Sequence, residues 1–366
     1  MRDDTDLPHS AMGEPVAIEQ RGRALLVTLN RAEALNALNP EVIATLESAL
    51  HRAAGTPRIY GIALQAKGRA FCAGGDLRAM YEWRQAGALD AAMRYLAQEY
   101  QHCWTLERFI KPHVALMNGP VIGGGAGITL YGTHRVAGEG FSFSMPETGI
   151  GFFPDVGASD FLARLPGKIG LYLGLTGDTI GAADAYRLRL ASHCIPAVRF
   201  PDIVEHLVEA DPIDAVLDSM HQDPGEGRLD ALRETIDRIF AAPSIEAILA
   251  ALDAETGEHA DWARRIAADL RTRSPLALKV SFELLSRRAK PFDLKAALQQ
   301  DYGLAVQFLR GHDFFEGIRA RLIDKDQQPR WEAETLADVG GDRLADLFAE
   351  ASKESLALQD HWTLVD

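Results

Sequence analysis

Two glycine-rich turns and three acidic residues are the parts of this sequence best suited to chemistry. Ala73-Gly74-Gly75-Asp76 and Gly123-Gly124-Gly125-Ala126-Gly127 each follow a strand-like run and precede a helical one. Glycine lets backbone approach a bound group and leaves its N–H unobstructed. N–H groups at a helix start are orphan donors that also carry partial positive charge from the helix dipole. Two such donors aimed at one point would form an oxyanion hole for charge developing on a carbonyl oxygen; taken singly, either turn could equally serve tight packing. Carboxylates supply the other half. Glu147 sits in FSFSMPETGIGFFPDVG, a stretch otherwise nearly free of charge, and Asp155 follows eight residues later. Carboxylates in apolar loops are expensive unless paired or used, and such sites shift acidity toward catalytic values. Leu89, Leu96, Cys103 and Ile110 recur every seven residues, with Glu99 three after Leu96 and four before Cys103. Helical spacing therefore predicts Glu99 on the apolar face, as a working acid or as a buried or boundary structural residue.

Several familiar sites are excluded. A P-loop needs Lys-Ser/Thr directly after its last glycine, but Gly124 is followed by Gly125 and Ala126. A dinucleotide fingerprint beginning at Gly123 needs glycine where Ile128 stands, and neither GxSxG nor HExxH occurs. The 11 histidines are scattered, and His113 and His134 read as satisfied or exposed side chains. No metal site is expected.

The elements that must position these residues alternate. Val16 to Asn30 reads as strands, with Leu25, Val27 and Leu29 on one face. Asn39-Pro40 reads as a helix cap followed by proline at the first helical position, with Val42, Leu46, Ala49 and Leu50 as the buried stripe. A strand is predicted over Arg58 to Ala66, a helix after Gly75, and a longer helix from about Leu89 to Ile110. Strands at His113 to Met117 and His134 to Ala137 flank the second glycine turn. This alternation indicates a layered α/β body. After about Phe200 the sequence turns helical, as at Leu229–Ile239, Ile245–Leu252, Trp262–Leu270 and Ala277–Leu285, with breaks near Asp223-Pro224-Gly225 and Ser274-Pro275. The expected division is a flexible tail over residues 1–14, an α/β core over 15–200 and a helical region over 201–366 packing on that core.

Composition sets the partners. Lys plus Arg total 38 against 52 Asp plus Glu, a formal charge of −14, with 47% hydrophobic and 25% charged residues among 366. That is the balance of a soluble globular protein without an electrostatic footprint for nucleic acid or anionic membrane. The uncharged run 112–133 holds six glycines and two prolines and makes a poor membrane span. The 3 cysteines lie far apart, which fits a reducing compartment. The opening residues are polar and acidic, unlike a secretory or transit signal, so a cytoplasmic location is expected.

The phrases LNRAEALNALN (29–39), GRAFCAGGDLR (68–78), QEY (98–100), NGPVIGGGAGI (118–128), MPETGIGFFPDVG (145–157) and RGHDFFEGIRARLIDKDQQPRW (310–331) resemble the crotonase, or enoyl-CoA hydratase/isomerase, superfamily. Within it they are most similar to the 3-hydroxyisobutyryl-CoA hydrolase branch. The resemblance spans roughly residues 16–335. It implies a crotonase-like spiral of repeated ββα units with a helical C-terminal part, oxyanion-hole amides at Gly75 and Gly124, a catalytic glutamate at Glu147 with partner Asp155, and a substrate-contacting Glu99. By the same resemblance, Ala34 to Leu38, including Asn36, and Gly75 to Arg78, including Asp76 and Leu77, should line the CoA site, largely through backbone groups. Arg31, Lys67 or Arg78 would meet the CoA phosphates or serve as solvated surface. Hydratases of the superfamily carry a further glutamate where this chain has Gly127, and a small residue where it has Asp155. Both departures imply thioester hydrolysis, with CoA as part of the substrate and no cofactor. A hydratase or isomerase is the enzymatic alternative. A silent acyl-CoA-binding or RNA-associated relative is the other, opposed by the negative charge and by retention of Glu147, Asp155 and both turns. Family relatives often form trimers, so the expected states are a homo-oligomer or a chain whose C-terminal helices cover that surface.

Overall fold

In the computed structural model, residues 13–286 and 293–361 are described; apart from residues 13 and 14, the expected N-terminal tail lies outside them. Nine strands are described: β1 (Val16–Arg21), β2 (Ala24–Leu29), β3 (Gly61–Ala66), β4 (His113–Met117), β5 (Pro120–Ile122), β6 (His134–Ala137), β7 (Ser142–Ser144), β8 (Ile180–Gly181) and β9 (His193–Cys194). They form a six-stranded sheet in the order β1-β2-β3-β4-β6-β9 and a three-stranded sheet in the order β5-β7-β8. Apart from the β1–β2 hairpin, every pair in the larger sheet is parallel.

The pairing is a spiral. From β3 the chain passes to Cys72, which bridges Val121 of β5, and then into helices α2 (Leu77–Gln85) and α3 (Leu89–Glu107). From β4 it passes to β5 and the 3-10 turn Gly123–Ala126; from β6 it passes to β7 and the 3-10 turn Glu147–Ile150. Each of these circuits lays one strand in the large sheet, then a strand of the small sheet or, in the first, the single bridging residue Cys72, and then a helical segment. Glycine turns and carboxylates thereby recur at corresponding places.

Strand alternation sets the two faces. Leu25, Val27, Leu29, Ile62, Leu64, Ala115 and Met117 join the larger apolar core, which also takes in residues of helices from Arg228–Ile239 to Leu294–Arg310. Ala24, Leu26, Ala63, Val114, Leu116 and Val136 point the other way, onto Ile203, Val204, Leu207, Ile213 and Leu217 of helices Phe200–Glu209 and Ile213–Met220. The first two helices after residue 200 therefore cover the back of the sheet, while those from Arg228–Ile239 onward share the front core.

Helix α1 (Pro40–Gly55) begins as its sequence predicts: Val42 N–H donates to Asn39 Oδ1 at 2.9 Å, and Val42, Leu46, Ala49 and Leu50 are buried. Two expectations are corrected. The third strand starts at Gly61, because the carbonyls of Ala53, Thr56 and Ile59 turn onto the Lys111 ammonium at 2.6, 2.9 and 2.6 Å. The same segment closes a turn, Ile59 N–H donating to Thr56 O at 3.0 Å, so residues 58–60 are held as a loop. Helix α3 stops at Glu107, and Ile110 is 60% exposed and off the predicted stripe. Pro112 follows two residues later and disfavours helix before it.

Candidate active site

The two glycine turns meet edge to edge. Leu38 N–H donates to Gly74 O and Leu38 O accepts from Asp76 N–H, both at 2.8 Å. In such a parallel bridge the N–H of the intervening Gly75 points away from Leu38. Cys72 N–H donates to Pro120 O at 3.0 Å and Cys72 O accepts from Ile122 N–H at 2.9 Å, laying the first turn along the second. Gly74 holds φ +86°, and a Cβ there would stand 2.8 Å from Ile122 O and 3.2 Å from Gly124 N, so only glycine admits this approach. A Cβ on Gly124 would lie 3.4 Å from Gly75 N and 2.5 Å from Glu99 Oε1. One on Gly123 (φ +52°) would run into Glu147 Oε1. The second turn is thus flush against the first turn and against two carboxylates.

A cavity of about 180 Å³ opens here, lined by Gly75, Gly124, Glu99, Glu147 and Asp155 together. Met80, Leu96, Ile150, Phe152 and Phe314 make its apolar wall. Gly127 lies behind the turn: a Cβ there would sit 2.7 Å from Cys103 Sγ and 3.3 Å from Val156 Cβ. Any side chain at that position would have to displace Cys103, and a glutamate more than an alanine.

The other expected substrate-binding residues divide. Leu77 lines the cavity; Ala34, Asn36, Asp76 and Arg78 do not. Asn36 is buried and spends its amide on structure, accepting Arg31 N–H at 2.9 Å and donating to Lys67 O and Ala70 O at 2.8 and 2.9 Å. Asp76 caps α2 through Ala79 N–H at 3.2 Å and pairs with Arg31 at 3.0 Å. Arg31 also donates to Ala37 O at 2.6 Å, so it braces the loop before α1. His113 corrects another expectation: it is buried, and its Nδ1 has no hydrogen-bond partner among the described residues. Burial holds its pKa down at about 3, so it is neutral.

Burial dominates the electrostatics. Glu99, Glu147 and Asp155 are 3%, 7% and 6% exposed, and Glu99 Oε1 and Glu147 Oε2 have no hydrogen-bond partner among the described residues. Desolvation pushes Glu99 up, and the Asp155 charge adds to that shift. It also pushes Asp155 up, against the Tyr100 hydroxyl, which donates to Asp155 Oδ2 at 2.7 Å. Glu147 is raised well above the usual carboxylate range, by burial and then by Asp155, with Arg273 opposing. Burial thus makes these carboxylates stronger bases than they would be in water.

Sequence reasoning passed over Tyr100, although it stands beside Glu99 in the QEY phrase, and gave Phe314 no role within its own GHDFFEG phrase. It also passed over Arg273, which donates to Thr148 Oγ1 at 2.6 Å beside Glu147, and Asp301, which accepts Gly157 N–H at 2.7 Å beside Asp155. Neither carries a local signal, because both reach the site from segments more than a hundred residues away, Arg273 from the bend after Leu270 and Asp301 from the helix Leu294–Arg310.

A family model described as "Enoyl-CoA hydratase/isomerase" matches residues 24–348. Among curated proteins, the chain is 36% identical over 363 residues to "3-hydroxyisobutyryl-CoA hydrolase, mitochondrial" of Danio rerio, covering 95% of this chain and 93% of that one. It is 34% identical to "3-hydroxyisobutyryl-CoA hydrolase 1" of Arabidopsis thaliana, covering 93% and 92%. Among solved structures, an enoyl-CoA hydratase from Rhodobacter sphaeroides 2.4.1 superposes with a TM-score of 0.87 at 36% identity, covering 94% of this chain and 99% of that one. A carnitinyl-CoA dehydratase from Mycobacterium thermoresistibile gives 0.85 at 35%, covering 92% and 96%. Spiral topology, abutting glycine turns and these matches along nearly the whole chain lead to one conclusion: the chain belongs to the enoyl-CoA hydratase/isomerase (crotonase) family.

Proposed function

We propose that this protein hydrolyses an acyl-CoA thioester, with 3-hydroxyisobutyryl-CoA as substrate and 3-hydroxyisobutyrate and free CoA as products, a step of valine breakdown. The observation carrying this reading is the single cavity that gathers Gly75, Gly124, Glu99, Glu147 and Asp155 while Gly127 stands where a hydratase has its further glutamate. The names of the curated relatives point the same way.

In the proposed reaction the thioester oxygen lies between the Gly75 and Gly124 N–H groups, which stabilise its negative charge as the carbonyl is attacked. Two routes lead on. Glu147 takes a proton from water as the water oxygen bonds to the carbonyl carbon; or its carboxylate attacks, giving a mixed anhydride that water then cleaves. In both, the C–S bond breaks, the sulfur leaves with its electron pair, and CoA thiolate is protonated. Asp155 and Glu99 orient the water and the substrate hydroxyl. The chemistry calls on no metal or redox cofactor. In a single turnover in ¹⁸O-water, ¹⁸O in the Glu147 carboxylate identifies an anhydride cleaved at the glutamyl carbonyl; an anhydride cleaved at the acyl carbonyl leaves Glu147 unlabelled, as the water route does, and is caught instead by trapping acylated Glu147 with hydroxylamine.

Loop 34–38 and residues 75–78 are proposed to hold CoA through backbone groups, as the Asn36 and Asp76 side chains are already engaged, Asn36 with Lys67 O and Ala70 O and Asp76 with Arg31. Among the described residues no helix is long and apolar enough to cross a membrane. All three cysteines are free and buried, which supports a reducing compartment. Several relatives are named mitochondrial, so localising a fluorescent fusion tests the cytoplasmic assignment, and light scattering tests for a homo-oligomer.

The second reading is a hydratase or dehydratase, favoured by the names of the two solved structures. One assay decides. With 3-hydroxyisobutyryl-CoA and a thiol reagent, hydrolysis releases CoA. With an enoyl-CoA, hydration removes the enoyl absorbance without releasing thiol.

A further inference from the structure

Each of the two carboxylates proposed to carry the reaction sits in a turn held from behind by a residue of the C-terminal helical part. Behind Glu147 stands Arg273, just past the helix Ala260–Leu270 and 9% exposed. Its Nη1 donates to Thr148 Oγ1 at 2.6 Å, its Nη2 donates to Thr176 O, and it pairs with Asp269 at 2.5 Å. The Thr148 hydroxyl passes the tie on to Leu175 O at 2.9 Å. The guanidinium therefore clamps the residue next to Glu147 and sets a buried positive charge beside a cluster of buried acids.

Behind Asp155 the chain takes an unfavourable path. Val156 has φ +50° and Gly157 φ +78°; a β-branched residue in the left-handed region persists only where its surroundings hold it there. Three consecutive residues are so held: Tyr100 donates to Asp155 Oδ2 at 2.7 Å, Tyr131 to Val156 O at 2.6 Å, and Gly157 N–H to Asp301 Oδ2 at 2.7 Å. Asp301 lies on the helix Leu294–Arg310, is fully buried, and its Oδ1 has no hydrogen-bond partner among the described residues.

We propose that Arg273 and Asp301 are positioning residues for Glu147 and Asp155, so that the C-terminal helices form the outer part of the reaction site. This rests on the roles proposed above for the two carboxylates. Arg273 orients the Glu147 turn and favours the charged carboxylate. Asp301 anchors the strained turn that presents Asp155 by accepting the Gly157 N–H.

Arg273→Gln and Arg273→Lys address the charge. Glu147 also faces Asp155 and Glu99. From the helices packed on its turn come Asp313, bonded to Ser274 Oγ at 2.5 Å and Glu332 N–H at 2.8 Å, then Glu316 paired with Arg319, Lys279 paired with Glu246, Tyr172 bonded to Asp178, and Glu283. None of these changes in either variant. The acid limb of kcat should move up by roughly one pH unit in Arg273→Gln and stay near its original position in Arg273→Lys. A merely structural role would lower the active fraction at every pH without moving the limb. For Asp301, the alanine variant should lose about 10-fold to 100-fold in kcat with KM changed less than about threefold, and Asp301→Asn should recover most of it, since its amide oxygen can accept the same N–H.

Carbon-13 NMR of the glutamate carboxyls, with the Glu147 signal identified by its loss in Glu147→Gln, reads the Glu147 titration directly and needs no turnover. An unmoved titration in Arg273→Gln, full kcat in Asp301→Ala, or equal loss in Asp301→Ala and Asp301→Asn would each overturn the proposal. A wild-type protein that releases no CoA would overturn the hydrolase reading alone, leaving the NMR result to decide on Arg273.

Discussion

Adding one methyl group at Gly124 tests the proposed oxyanion hole most sharply. In Gly124→Ala the new Cβ stands 3.4 Å from Gly75 N and 2.5 Å from Glu99 Oε1. A carbonyl oxygen held by both amides must lie about 3 Å from each nitrogen, so the methyl takes much of that space. Losing a single oxyanion donor typically costs ~10²–10³ in kcat, about 3–4 kcal/mol, and a blocked pair should cost at least as much. Overpacking alone costs about 1–3 kcal/mol of stability, so kcat is measured well below the melting temperature. The assay is thiol release from 3-hydroxyisobutyryl-CoA, with circular dichroism checking the fold. Gly124→Pro approaches the same point by deleting the N–H and should lose a similar factor. The collision with Glu99 has its own control: if it alone caused the loss, Glu99→Ala/Gly124→Ala would recover the activity of Glu99→Ala. The oxyanion argument requires no recovery. A folded Gly124→Ala protein with kcat within about threefold of wild type would refute the reasoning.

Other perturbations probe the remaining parts. Glu147→Gln should abolish turnover while acyl-CoA binding persists by calorimetry; near-normal turnover would remove Glu147 from the chemistry. Tyr100→Phe deletes a hydrogen bond that favours the charged Asp155, so the pH dependence contributed by Asp155 should shift up by about one unit, and an unshifted profile counts against that contact. Glu99 is raised in the folded state, so folding is favoured while it is protonated, and that stability drains away as pH rises from the unfolded pKa to the folded one. Glu99→Gln should therefore stabilise the protein by about 1–3 kcal/mol in urea melts above that window and by little near pH 4; equal effects at both pH values would contradict this. Gly127→Ala should cost about 1–3 kcal/mol through its contact with Cys103, and Cys103→Ala in the same chain should relieve part of that loss.

Legibility in the sequence followed range. Where physics acts within a few residues, it could be read directly: the Asn39-Pro40 start of α1, the strands at 113–117 and 134–137, the alternating face of β2, and the burial of Glu99 by its spacing from Leu96 and Cys103. Where a distant group intervened, local pattern failed. A turn from Thr56 to Ile59, tied down by Lys111, shortened β3, and the heptad spacing ran through Ile110 past the true end of α3. The Asn36 amide reaches across to Ala70 O and the Asp76 carboxylate pairs with Arg31, contacts that no local pattern announces.

What the sequence determined by itself was the inventory: two glycine turns free of side chains, three acids in apolar settings, no glutamate at 127, and an alternation of strands and helices to carry them, the spiral being implied by the family resemblance. Only the tertiary structure decided that Gly75 N faces Gly124, that Tyr100 reaches Asp155, and that Arg273 and Asp301 stand behind the two carboxylates. The reason is physical. Propensity and periodicity act between neighbours along the chain, whereas convergence of amides and desolvation of charges arise only when segments far apart in sequence exclude water from one another.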